Sequence, residues 1–318
     1  MHTDPTTPTV LTIAGSDPSG GAGIEADIKT ITAHGCYAMT CITAITVQTP
    51  RAVHAVSATP PDTIAHILQA IMSDMRVDVI KTGMLTPAAT QTLLHILDDF
   101  QFKGQLVVDP VMTATSGAVL FASSRDPHLL HLLKRATLVT PNIPEALALL
   151  GRDETQQVSS VQEMEHIAKQ LLVATEAPNI LLKGGHCPLD KPPDSNSASE
   201  LQQRRVADIL VTASGDGTKV FESRWIKTKN THGTGCTLAS AIASNLACGD
   251  VLESAVRGGL QYVQTTIELE PWLAVTKVRE NGPVNHMYHV TRPRPGPGLL
   301  AAAAAQQQQQ PGAAGSRR

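Results

Sequence analysis

Val10-Leu11-Thr12-Ile13 runs into Ala14-Gly15-Ser16-Asp17-Pro18-Ser19-Gly20-Gly21-Ala22-Gly23, and the chain from Gly20 to His34 then takes a helical pattern. A short apolar run closed by a glycine-rich turn reads as a buried strand, and a helix directly behind it makes a βα unit. The alternation recurs down the chain. Tyr37 to Val47 reads as a second strand, and Val79-Ile80-Lys81-Thr82, Leu106-Val107-Val108-Asp109, Leu138-Val139-Thr140 and Ile180-Leu181-Leu182-Lys183 read as further ones. Helix starts lie between them. Thr86-Pro87 and Asp126-Pro127 put an N-cap residue before a first-turn proline, and Ser160 with Glu163 spells a capping box. This order predicts an α/β fold with a central, mostly parallel sheet and right-handed crossovers. Ligands in such sheets sit beyond the carboxyl ends of the strands, so the residues just after each strand are the candidates for function.

Composition narrows the class. Hydrophobic residues make up 42% of the 318, enough for a sizeable core, and at 3% aromatic content that core is aliphatic. A net charge of −3 with no basic stripe argues against nucleic-acid binding. The five cysteines form no C-x-x-C pair, and their odd number argues against a disulfide framework or a zinc site. A reducing, cytoplasmic compartment is expected. No run of 18 apolar residues occurs, and the N-terminus lacks a signal-peptide pattern, so no membrane association is expected. Cys187 to Arg205, with Lys191-Pro192-Pro193-Asp194, reads as a surface loop. Ile209-Leu210-Val211, Lys219-Val220-Phe221 and Trp225-Ile226 read as shorter antiparallel strands after it. The Pro/Gly, Ala and Gln runs from Arg292 onward cannot bury a core. The expected organisation is a flexible 1–8, one domain over 9–290 and a disordered tail over 291–318.

Several stretches hold residues suited to chemistry. Lys229-Asn230-Thr231-His232-Gly233-Thr234-Gly235-Cys236-Thr237 precedes Ala239, Ile242, Ala243 and Leu246, a helical i, i+3, i+4, i+7 spacing. Its glycines therefore open a buried helix, where free N–H groups and the positive dipole end stabilise an anion. The dipole is expected to lower the pKa of Cys236. The bland alternative is a glycine-rich turn with a buried cysteine. The Gly15 turn is neither a Walker A loop nor a Rossmann fingerprint, and Asp27 behind it reads as a helix-dipole charge. Thr140-Pro141-Asn142-Ile143-Pro144-Glu145 is either a capping box or a Mg²⁺–phosphate site acting through water. Lys183 before Gly184-Gly185-His186 suits a point contact with phosphate, and Asp109 before Pro110 suits a metal-side group or a turn cap. Gln48, Lys81 and Met84 also lie at strand ends.

Taken in order, Thr12 to Gly23, Lys81 to Leu85, Asp109 to Met112, Thr140 to Ala146, Lys183 to His186 and Lys229 to Thr237 resemble the hydroxymethylpyrimidine/phosphomethylpyrimidine kinases. These are thiamine-biosynthesis enzymes of the ribokinase-like superfamily, and the likeness runs from about Val10 to about Tyr288. It implies a three-layer α/β/α fold. It also implies Mg²⁺- and ATP-dependent phosphorylation of 4-amino-5-hydroxymethyl-2-methylpyrimidine, then of its monophosphate. By the same resemblance Gln48, Gly15, Asp27 and Met84 line the pyrimidine pocket. Asn142, Lys183 and Thr231 lie on the nucleotide side, with Glu145 and Asn142 near the metal. Gly233, Gly235 and Cys236 form the anion hole, with Lys183 alongside, and Cys236 acts either as base or through its backbone N–H. The resemblance is compatible with a homodimer. Asn281 to His286 resembles the family's C-terminal signature, and the low-complexity tail, in place of the thiaminase II-like domain of fungal relatives, leads us to expect no second activity. The competing readings are a pyridoxal kinase and a non-catalytic pyrimidine-binding protein on the same fold.

Overall fold

The computed structural model describes residues 6–49, 52–112, 126–185, 204–215, 217–269 and 282–290. The tail over 291–318, most of the 187–205 loop and His186 lie outside them. Met1–Tyr288 forms one compact unit and His289–Arg318 a second. The described strands are β1 (Thr9–Ser16), β2 (Tyr37–Thr49), β3 (Ala52–Ala58), β4 (Val79–Thr82), β5 (Gln105–Val108), β6 (Leu138–Val139), β7 (Asn179–Leu182), β8 (Arg205–Thr212) and β9 (Thr218–Arg224). The helices are α1 (Gly23–Ala33), α2 (Pro61–Asp74), α3 (Pro87–Asp99), α4 (Pro127–Arg135), α5 (Ile143–Leu149), α6 (Val161–Thr175), α7 (Thr234–Ala247) and α8 (Leu252–Glu268).

All nine strands join one sheet in the order β3-β2-β1-β4-β5-β6-β7-β8-β9. The ladders from β2 through β7 are parallel, whereas β3, β8 and β9 each meet their neighbour antiparallel. Side chains alternate across it with period two. Leu11, Ile80, Val108 and Ile209 face α2 to α6. Val10, Val79, Val107 and Leu210 face the other layer, where Ile31 of α1, Ile242 of α7 and Val256 of α8 pack. This is a three-layer α/β/α sandwich.

The start signals work as read, with one refinement. The side chains of Thr86, Asp126 and Ser160 cap α3, α4 and α6. Ser160 takes the Glu163 N–H, but Glu163 answers to the N–H of Ser159, so that box is closed one residue early. Three strand boundaries differ from the periodicity. β2 continues to Thr49, so Gln48 stands inside a strand at a register shift opposite β3. The edge strand β3 is small-residue and mostly exposed, and it left no apolar run to read. Trp225-Ile226 lies past the end of β9, although the Trp225 N–H still donates to the Arg204 carbonyl at 2.9 Å.

Candidate active site

The order of the sheet reverses at β1, whose crossovers leave toward β2 on one side while β4 lies on the other. A cleft opens at such a point, beyond the carboxyl ends of the parallel strands. Its volume is about 270 Å³, enough to admit a small molecule. Gly15, Gln48, Met84, Asn142, Glu145, Lys183, Thr231, Gly233, Gly235 and Cys236 all line it. Residues spread over 220 positions of sequence thus meet at one surface. Asp27 does not reach the wall. It is fully buried beneath it and bonds Lys81 Nζ at 2.8 Å, Thr12 Oγ1 at 2.6 Å and Ser240 Oγ at 2.8 Å. The readings of Asp27 as a helix-dipole charge and as a residue lining the pocket are therefore corrected: it is half of an internal ion pair behind the wall. Lys81 sits within β4, not beyond its end.

One end of the cleft is built by glycines. The Met84 methyl lies over Gly15: a Cβ there would stand 2.2 Å from Met84 Cε and would displace that side chain. Across it, Gly233 caps α7 at φ +83, a conformation glycine adopts without strain. No side chain caps this helix, and Gly235 and Cys236 line the cleft at its positive dipole end, while the Thr234 N–H is taken by the Thr231 carbonyl at 3.2 Å. Asp17 orders the turn opposite. It accepts the N–H groups of Ser19 and Ala22 at 2.9 Å each, and its Oδ2 lies 2.7 Å from His232 Nε2. Burial pushes Asp17 up, but its bonds from His232 and Ser19 outweigh this and hold the carboxyl below its ordinary range.

Cys236 corrects an expectation. Cys236 is a half-buried residue of the cleft wall, and burial pushes its thiol up to about 11, not down. The Lys81 ammonium pulls the other way, while Asp27 and Asp109 add to the rise. Desolvation of a thiolate at this depth outweighs the dipole.

The other end is charged. Lys183 Nζ donates to Asp109 at 2.8 Å, and Asp109 also accepts Thr140 Oγ1 at 3.0 Å. Burial lowers the Lys183 pKa, but Asp109 and Glu145 more than offset it and the ammonium is held above its usual range. The Lys183 N–H donates to the Pro141 carbonyl at 2.8 Å, tying β7 to the loop that carries Asn142. Asn142 and Glu145 do form the reciprocal capping box, at 2.8 Å each way. They also line the cleft, so cap and site are the same residues. Burial pushes the Glu145 carboxyl up to about 7, Lys183 opposes this and Asp109 adds to it.

Two features escaped the sequence reading. Asp208 of β8 lines the cleft, takes the Gly184 N–H at 2.9 Å and is pushed up to about 6 by burial. A lone carboxylate inside Val206-Ala207-Asp208-Ile209-Leu210-Val211 was the available signal. The Asp17–His232 pair had none, because its members are 215 positions apart.

The sequence comparisons converge on one family, and the structural comparison adds a pyridoxal kinase. The sequence profile described as phosphomethylpyrimidine kinase matches residues 17–285. A hydroxymethylpyrimidine/phosphomethylpyrimidine kinase of Saccharomyces cerevisiae is 44% identical over 288 residues, covering 90% of this chain and 50% of that protein. The chain thus spans about half the length of the yeast relative. The Bacillus subtilis enzyme of the same name is 35% identical over 280 residues, covering 87% of this chain and 93% of that protein. Among solved structures, an ADP complex of Bacillus subtilis pyridoxal kinase superposes with a TM-score of 0.71 at 30% identity, over 89% of this chain and 98% of that one.

Proposed function

The chain belongs to the phosphomethylpyrimidine kinase family, and from that premise we propose that it phosphorylates 4-amino-5-hydroxymethyl-2-methylpyrimidine with ATP, then phosphorylates the monophosphate to the diphosphate. The observation that carries this reading is the meeting, in one cleft, of an uncapped helix N-terminus at Gly233 to Cys236 and the Lys183–Asp109–Glu145 group. Phosphoryl transfer asks little covalent help of a protein. It needs in-line placement and donors aimed at the equatorial oxygens of the moving group.

The roles follow from position. Gln48, Gly15 and Met84 border the pyrimidine, with Gln48 positioned to hydrogen-bond the aminopyrimidine edge. Asp27 supports that wall from behind through Lys81. The substrate hydroxyl lies toward Cys236, and the backbone N–H groups of Gly235 and Cys236 take up charge on the phosphoryl oxygens. Lys183, Thr231 and Asn142 face the nucleotide. Among the described residues no group of three or more acidic, His or Cys side chains forms a ready-made metal cage. Mg²⁺ keeps waters and phosphate oxygens and uses one or two carboxylates. Glu145 and Asp109 fit this part, for a Glu145 carboxyl near 7 becomes a good carboxylate once a cation lies beside it. Asn142, its Oδ1 committed to the cap, orients Glu145. When bound, Mg²⁺ neutralises charge on the phosphate oxygens.

Cys236 is the proton acceptor we assign to the substrate hydroxyl. With its thiol near 11, the thiolate fraction rises tenfold per pH unit up to that point. Turnover is accordingly expected to climb through the alkaline range. Cys236→Ala is expected to lower kcat, flatten that climb and leave pyrimidine affinity nearly unchanged. An unaltered kcat in the variant rejects the acceptor role and leaves only the backbone N–H.

A second reading, phosphorylation of pyridoxal, has the structural likeness to a pyridoxal kinase in its favour. ADP release with Mg-ATP, measured separately on the hydroxymethylpyrimidine, its monophosphate and pyridoxal, decides between them. Turnover on both pyrimidines is expected. Turnover on pyridoxal alone overturns the assignment of Gln48. Tight binding without ADP release on any of the three makes the chain a binding protein. The compartment we propose is cytoplasmic, and a homodimer is compatible with the resemblance. Among the described residues no helix is long and apolar enough to cross a membrane.

A further inference from the structure

Away from the cleft, the opposite ends of α1 and α7 bring two free cysteines together. Cys36 Sγ and Cys248 Sγ lie 3.7 Å apart, although 212 positions separate them in sequence. Cys36 is buried between α1 and β2, with its thiol directed at the Ser244 carbonyl of α7 at 3.6 Å. Cys248, the C-cap of α7, is exposed. We propose that Cys36 and Cys248 are a modification site: a hydroperoxide converts them to an intramolecular disulfide that ties α1 to α7.

The geometry supports closure. A disulfide needs its sulfurs at about 2.05 Å, so the pair must approach by less than 2 Å. Both residues sit in turns, not mid-helix, and each adjoins a left-handed glycine with open space around it, Gly35 at φ +75 and Gly249 at φ +94. The Cys36 N–H bonds the Ile31 carbonyl at 3.2 Å and the Cys248 N–H the Ser244 carbonyl at 3.0 Å, so closure draws on the last turns of α1 and α7 alone. Access differs as the chemistry requires. The exposed Cys248 thiolate attacks the peroxide, the O–O bond breaks, and a sulfenic acid and water (or an alcohol) form. The Cys36 sulfur then attacks the Cys248 sulfur. The S–O bond breaks and hydroxide leaves with the Cys36 proton as water. Two thiols have then given two electrons and two protons to one hydroperoxide. The order suits Cys36. Burial above all, with the neighbouring Cys248 adding to it, pushes its thiol up to about 12, so the exposed Cys248 meets the peroxide first. Cys41, buried and also pushed up to about 12, has no such neighbour among the described residues and stays reduced.

The site does not depend on the proposed kinase activity, and it is tested on the full chain. The protein is treated with hydrogen peroxide, unfolded, alkylated and mapped without reduction. The expected result is a peptide pair joined through Cys36 and Cys248, released by dithiothreitol, with a melting temperature raised by about 5 °C or more because the link closes a long loop. Cys248→Ser, a change at an exposed position, loses both the link and the thermal gain. Alkylation of both cysteines after oxidation overturns the proposal. So does a link to any other cysteine or to a second chain, or a thermal gain that survives in Cys248→Ser.

Discussion

Replacing Lys81 by Met will cost the fold about 3–5 kcal/mol, and the melting temperature will fall by about 10 °C. Lys81 and Asp27 are both completely buried, 2.8 Å apart. The carboxylate spends its remaining capacity on Thr12 and Ser240. Removing the cation alone leaves Asp27 charged in an aliphatic core with only two hydroxyls for company. Burial pulls the Lys81 ammonium down, but Asp27 more than offsets it, so folded Lys81 titrates above an unfolded lysine. Its contribution to stability is therefore fully present below the ordinary lysine range and is lost only as strong alkali removes the proton. Neutral buffers see all of it. The double variant Lys81→Met/Asp27→Leu buries no charge and is expected to recover most of the loss. Denaturant titrations of the three proteins test this. A single variant within 1 kcal/mol of the parent, or a double variant worse than the single, rejects the pair as a structural unit. The pair also bears on the cleft, because Lys81 is the cation that draws the Cys236 thiol downward.

The same pair marks where sequence reading ends. The strands Val79–Thr82 and Leu138–Val139 and the caps at Thr86, Asp126 and Asn142 were legible because their signals are local: a run of apolar residues, or a side chain reaching three positions along. The line of small residues at Gly233 to Cys236 was legible for the same reason, since a helix opens directly behind it. What periodicity does not encode is which lone charge meets which. Lys81 finds Asp27 across 54 positions, Lys183 finds Asp109 across 74, and His232 finds Asp17 across 215. Only the strand order places them together. Depth is equally hidden. The helix dipole at Cys236 follows from the sequence, but the desolvation that overrides it follows from the layers packed around it. Asn142 and Glu145 show the converse. Their spacing fits both a cap and a phosphate site, and the pair that closes the cap also lines the cleft.

Gly233→Ala is expected to lower turnover by about 10²–10³, the loss typical of removing a transition-state anion donor, while the fold survives. A Cβ at this position would lie 1.8 Å from the Gly21 carbonyl oxygen and 2.8 Å from the Gly21 carbonyl carbon. Those are backbone atoms, so no side-chain rotation relieves the contact. Either the Gly20–Gly23 turn or the first turn of α7 must move, and both border the cleft. The left-handed backbone at φ +83 adds about 1–2 kcal/mol of strain for any residue with a Cβ. Gly35→Ala separates the two effects, because Gly35 has φ +75 and nothing within 4 Å of its would-be Cβ. It should lose a similar amount of stability and keep its turnover. The loss in Gly233→Ala should fall on kcat more than on the KM for pyrimidine, because the displaced N–H groups meet charge that develops only during transfer. If both variants lose the same stability and neither loses turnover, the N-terminus of α7 is not where the phosphoryl group is held. A fall confined to Gly233→Ala places the chemistry where α7 meets the Gly20–Gly23 turn, since strain is common to the two variants and the collision with Gly21 is not.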